Sequence, residues 1–549
     1  MAARYWVGGS GSWTSASTTN WSATSGGAGG ATAPTSTDDV YFDANSAAGN
    51  YTVTGTGTLS VGSLNIAKPA SGILTFSGTP VVNVNGNLDG SGAGGNVTWS
   101  IVGQFNFAGA GSYTVTTGDI LFDRFAFNNG SGTWTLQDTV NVKTAFGINT
   151  GILNLNEQTV NTPALGNSGV AAKTWNMGTN SVINVTGNAT TVVNFITASG
   201  MTVTGTGYIN LSYSGSTGTR TVNTGLTASG AFNIKVSAGS DTVVLSTYVN
   251  DLDFTGFSGT LSPIARTIYG NLTLSGSMTV TPSATGTTFA GTGASKTITT
   301  NETFLDLALI FNSTNPVLLN GNLYAPTKAI TVTAGGIVTN GYSITTNAIS
   351  SSNTNVRTID ITNSTVTINS IGSPWNLATS TNLTFVSTGS TIILASAAAN
   401  AKTFAGGNLT YNNLVIGGLT GTTVTVTTTF TGNNTFTGTL SSTKTVTHNV
   451  LFTAGTTNTF GGWTITGTAG NIVYINSTGS PPVATHNLVF TGSGTVNVNY
   501  TSISYSNASP ANKWYSLLTN NNIDGGNNTG WIFTDVPPVA SSSNFFLVF

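Results

Sequence analysis

The sequence predicts an all-β fold: an elongated β-solenoid of the parallel β-helix type, with atypical N- and C-terminal capping modules. Three observations predict it. Apolar and polar residues alternate with period two along most of the chain. Gly and Asn punctuate these runs. Only 14 Lys+Arg and 16 Asp+Glu occur in 549 residues, a charged fraction of 5% where soluble globular proteins carry about 25%.

The alternation comes first because it sets the element type. Tyr51-Thr-Val-Thr, Val81-Val-Asn-Val-Asn, Met201-Thr-Val-Thr and Thr423-Val-Thr-Val-Thr place Val on one face and Thr or Asn on the other. β-branched residues at period two favour strands. The 69 Gly would each cost a helix about 1 kcal/mol, so helices are not expected. Runs of four to seven residues ending in Gly, Asn or Ser describe many short strands.

Repetition organises the strands. A Gly-Asn-Leu unit recurs at Gly86, Gly270, Gly321 and Gly407, each time beside a strand-like run. Eight basic residues precede Thr: Lys143, Lys173, Arg220, Arg266, Lys296, Arg357, Lys402 and Lys444. Their spacing predicts a recurring, solvated turn position, as an array of coils would contain. Each coil of such an array buries its apolar face against the next, so the core grows with length. A β-sandwich array would need many Asn-Gly hairpin turns; Asn85, Asn129, Asn320 and Asn340 supply only four.

The ends depart from the middle. Residues 1–50 hold Trp6, Trp13 and Trp21 and read as an N-terminal docking or cap module. Residues 51–480 form the repeat region. Residues 481–535, with Trp514 and Trp531, read as the opposite cap. Residues 536–549 read as a linker and an apolar terminal peptide containing Phe545, Phe546 and Phe549. An apolar strand after a polar linker suits docking on a neighbour or on another sheet. Assembly contacts are therefore expected at Trp6, Trp13, Trp21, Phe545, Phe546 and Phe549.

Composition also excludes. No Cys is present, which removes disulfides, thiolate catalysis and Cys-based zinc sites. A formal net charge of −2 without a basic stripe disfavours nucleic acid. No window approaches the ~18 apolar residues of a membrane span. Met1–Gly9 lacks a basic region followed by an apolar run, so no signal peptide is expected. Release by cell lysis, as for a virus particle component, accommodates that combination.

Chemical candidates are few. Asp119/Asp123, Asp251/Asp253 and Glu302/Asp306 are the carboxylate pairs that glycan hydrolysis would require, and Asp251 and Asp253 share a strand face. A solvated coil edge is the expected role of these carboxylates. His448 and His486 read as turn or surface residues, without a Ser-His-Asp frame. Asp38, Asp39, Asp43 and Asn45 carry oxygen ligands suited to Ca²⁺, but not at EF-hand spacing; a closing turn is the expectation. Gly26–Gly30 lacks the Lys-Ser/Thr ending of a phosphate loop. Trp99, Trp134, Trp175, Trp375 and Trp463 are expected to be mostly core, with one or two available to stack on sugars. No cofactor and no metal are expected.

Several of these residues resemble a known group. Trp6-Val-Gly-Gly, Gly11-Ser-Trp13, Asn20-Trp21-Ser22, Pro34 and Asp38-Asp-Val-Tyr-Phe-Asp43 resemble the opening of bacteriophage-encoded and bacterial surface β-solenoid proteins. The block from Arg357 through Trp375, Lys402 and Gly407 to Leu414 is similar to a repeat of that group, and Gly525–Phe533 resembles its ending. The resemblance implies a structural or adhesive virion protein, such as a tail fibre, spike or capsid-decorating protein. Its partners would be other virion proteins, copies of itself (trimers by analogy with fibres) and a host surface glycan. It assigns no catalytic residue. An exported adhesin on the bacterial surface and a glycan depolymerase are the alternatives.

Overall fold

The computed structural model describes residues 2–13, 19–167, 169–195, 200–225, 227–245, 248–262, 265–418, 425–479 and 484–535. The chain is all-β, with 2% helix, and its strands stack as parallel coils into a β-solenoid of about 20 turns. It divides into two compact units, residues 1–279 and 280–549.

In the first unit, each coil pairs in parallel with the next. One inward file runs Val40, Leu64, Leu88, Val115 and Leu136, each the register partner of the one before. Another runs Val140, Val160, Ile183, Ile209 and Ile234. All ten side chains are buried. Aromatic rings add to the interior; Phe107 stacks on Phe127 with centroids 4.5 Å apart. Fully burying such a side chain contributes roughly 1.5–3 kcal/mol, so the apolar files supply the main driving force.

The outward faces carry polar ladders. Asn161 donates to Asn141, Asn184 to Asn161 and Asn210 to Asn184, at 2.8, 2.9 and 3.0 Å. A second ladder joins Asn83, Asn106, Asn128 and Asn149. An amide both donates and accepts, so identical Asn side chains in register satisfy each other without charge. This explains how the chain stays polar with so few ions.

The second unit repeats the arrangement. An inward file runs Leu323, Ile344, Val366, Ile392, Leu414 and Leu440. Phe404, Phe430 and Phe452 are likewise register partners. Towards its end, Trp514 pairs with Trp531, their rings 4.9 Å apart.

The Gly-Asn-Leu units mark corners. Leu88, Leu272 and Leu323 are buried at the first position of a strand. The preceding Asn acts as a staple: Asn87 accepts from the Thr114 amide, Asn322 from Ser343 and Asn408 from Asn433. Gly407 has φ +66°, and a Cβ there would lie 2.0 Å from the Leu377 carbonyl oxygen. Only glycine fits that corner.

The basic positions correct the sequence reading. Of the eight residues expected at solvated turns, seven are buried: Lys173, Arg220, Arg266, Lys296, Arg357, Lys402 and Lys444. Several bind carbonyls at the corner that precedes them. Lys173 Nζ donates to Gly169, Arg266 Nη2 to Ser262 and Lys402 Nζ to Ala398, each four residues back. Arg357 donates to the carbonyls of Ser351, Asn355, Thr379 and Thr381. Lys143 alone is exposed. Lys173, Arg266, Arg357 and Lys402 thereby give buried corner carbonyls the donors they need, whereas Lys296 Nζ and Lys444 Nζ are buried with no hydrogen-bond partner among the described residues.

Candidate functional site

The aromatic candidates face inward. Trp6, Trp13 and Trp21 are buried around Phe42, with ring centroids 5.8, 5.1 and 6.0 Å from it. Trp6 pairs with Trp21 in an antiparallel ladder, whereas the coils pair in parallel. Trp99, Trp134, Trp175, Trp375 and Trp463 are buried too, which removes them as sugar platforms. Phe545, Phe546 and Phe549 lie outside the described residues.

The carboxylates are spent largely on the fold. Asp39, Asp123, Asp138, Glu157, Asp251 and Asp306 each accept a backbone amide 20 to 24 residues away, one coil along. The Thr179 and Asn180 amides hold Glu157 below its usual range. Burial raises the Asp38 pKa, but bonds from Thr35 and Ala2 and the Arg4 charge outweigh it and leave it lowered. Asp39 bonds Ser63, and Asp43 caps its own turn at Asn45 and Ser46. Among the described residues no group of three or more His, Asp or Glu side chains is arranged to hold a metal.

Of the three carboxylate pairs, two split between environments. Asp119 and Glu302 are exposed, while Asp123 and Asp306 are buried. Asp251 and Asp253 stay together: they flank buried Leu252 and line an open cleft of about 320 Å³ with Tyr208, Lys235 and Asn271. Asp251 Oδ1 accepts from the Asn271 amide at 2.6 Å, and Asp253 Oδ2 lies 3.6 Å from Lys235 Nζ.

Both histidines correct the expectation of a surface position. His448 bonds Ser442 and the Val446 carbonyl, and burial holds its pKa down. His486 lies against the Phe452 ring at 5.0 Å. Burial pushes it down to about 3.

A second cleft, of about 380 Å³, opens on the second unit between Glu302, Phe304, Asn322, Tyr324, Ser343 and Thr345. Strand Leu323–Ala325 buries Leu323 and Ala325, so the alternation turns Tyr324 outward. Phe304 and Tyr324 are 41% and 47% exposed, with centroids 4.9 Å apart at 61°. A tight turn holds Glu302 at the cleft: Asn301 and Glu302 are both left-handed, and the Thr303 amide bonds the Thr300 carbonyl.

No protein-family model matches the chain, and no curated protein and no solved structure matches it either.

Proposed function

We propose that this chain is a non-catalytic structural and adhesive component of a bacteriophage particle, a fibre, spike or capsid-decorating protein that acts by assembly and surface contact. The observation that carries the reading is the use made of the ionisable groups. Asp39, Asp123, Asp138, Glu157, Asp251 and Asp306 accept amides from the neighbouring coil, and Lys173, Arg266, Arg357 and Lys402 bind carbonyls inside the coils. Groups so engaged are held for stability and are poorly placed for acid–base chemistry. The resemblance of both chain ends to bacteriophage-encoded and bacterial surface β-solenoid proteins supports a structural or adhesive role, with the virion component as the proposed reading and the exported adhesin as the alternative.

The test is immunogold labelling of particles from an infected culture with antibody raised against the full chain. Label on intact particles is expected. Label confined to the envelope of uninfected bacteria would replace the reading with an exported adhesin.

One observation favours a second reading. Asp251 and Asp253 share one cleft with Tyr208 and Lys235, as a glycan depolymerase would require. Clearing of a polysaccharide lawn that Asp251→Asn or Asp253→Asn abolishes would establish it.

A further inference from the structure

The two turns that carry the chain's only glutamates have the same form. In Leu155–Gln158 and in Thr300–Thr303 the two central residues, Asn then Glu, are left-handed, with Glu φ at +62° and +61°. In both, the fourth amide bonds the first carbonyl at 2.9 Å. Non-glycine residues adopt this conformation uncommonly. Glu157 uses its place: its carboxylate accepts the Thr179 and Asn180 amides of the next coil. Glu302 makes no such bond among the described residues, and it faces the cleft that holds Phe304 and Tyr324.

That cleft differs from its surroundings. All ten indoles are buried, and the outward register partners of Tyr324 on the next two coils are Thr345 and Thr367. Two exposed aromatic rings beside a hydroxyl file, an amide and an unspent carboxylate match the faces of a pyranose. Its C–H face packs on aromatic rings, and its hydroxyls bond polar side chains. Glu302 is the charged side chain of the cleft, and its negative charge repels uronate or sulfate groups.

We infer that the cleft of Glu302, Phe304, Asn322, Tyr324, Ser343 and Thr345 is a binding subsite for a pyranose of a neutral or amino-bearing glycan, with the chain of sugars running along the Thr345–Thr367 file. The inference rests on the adhesive reading above and gives it a place and a ligand class.

The full chain is titrated calorimetrically with chitohexaose (neutral), its de-N-acetylated form (cationic) and oligogalacturonate (acidic). Binding of the first two and not the third is expected. Tyr324→Ala and Phe304→Ala weaken it by about tenfold or more, and Tyr324→Phe, which keeps the ring, restores it. Glu302→Gln admits the acidic probe. Tyr474→Ala, at an aromatic 39% exposed elsewhere, leaves binding unchanged. Wild-type binding that Tyr324→Ala and Phe304→Ala leave intact, with melting transitions retained, overturns this site but not the adhesive reading. Absence of binding to both non-acidic probes overturns the inference itself, while particle labelling still decides the virion placement.

Discussion

Asn184 Nδ2 donates to Asn161 Oδ1 at 2.9 Å, across 23 residues of sequence and one coil of structure. Asn184 also accepts from Asn210, so it sits in the middle of a ladder. Asn184→Ala removes two bonds, each worth about 0.5–1.5 kcal/mol net. A loss of about 1–3 kcal/mol in urea unfolding is expected. Asn210→Ala should cost less, because only one ladder bond is lost and the Asn210 Oδ1 is itself without a partner.

Arg220 and Asp241 form a fully buried pair, with Nε–Oδ2 and Nη2–Oδ1 both at 2.8 Å. Removing one partner strands the other charge, at a cost of about 3–5 kcal/mol. Arg220→Met and Asp241→Leu should each unfold at clearly lower denaturant concentration. The double variant should recover most of the loss, and a double-mutant cycle measures how much.

Two buried bases set the pH dependence of stability on its acid and alkaline sides. Burial pushes His486 down to about 3 from 6.5. Between those values the unfolded chain binds the proton and the folded chain does not, so stability falls as pH drops from 6.5 towards 3. Burial, and then the Lys402 charge, pushes Lys444 down to about 8 from 10.5. By the same sign, stability rises as pH climbs from about 8 to 10.5. His486→Phe should flatten the acid limb of a melting-temperature profile, and Lys444→Met the alkaline limb.

Much of the architecture is legible in the residues. Alternating Val and Thr gives strands, and Gly-Asn-Leu gives corners because a glycine, an amide staple and an inward Leu are what a corner uses. The basic positions were misread because Lys and Arg are usually exposed. A local signal contradicted that prior. In Lys173-Thr-Trp175, Arg357-Thr-Ile359 and Lys402-Thr-Phe404 the residue two positions on is large, apolar and buried, and strand alternation places the cation on the same face. Lys143, the exposed exception, is followed at that position by the small, half-buried Ala145. Of the candidate site, Asp251 and Asp253 sharing a face was readable. Tyr324 carries a weaker signal, its phase: it falls between inward Leu323 and Ala325 and so points outward, while Phe304 lies outside any strand and its sequence has no such alternation to read.

The indoles give a spectroscopic check. All ten are buried, so tryptophan emission should be blue-shifted and acrylamide should quench it weakly. Trp21→Ala, which empties the space beside Trp6 and Phe42, should cost about 3–5 kcal/mol. Ready quenching of the native chain would place these residues at the surface.

In-register stacking of parallel coils is tested most directly by thiol bridging, because the chain has no Cys of its own. Thr365 and Thr391 are register partners on adjacent coils, and Asn413 is the partner of Thr391 one coil further. Adjacent strands lie about 4.8 Å apart and alternate ones about twice that. A Thr365→Cys/Thr391→Cys variant treated with dibromobimane, which fluoresces on joining two nearby thiols, should bridge rapidly, whereas Thr365→Cys/Asn413→Cys should not. Equal bridging of both pairs, or of neither, would contradict the coil register on which this account depends.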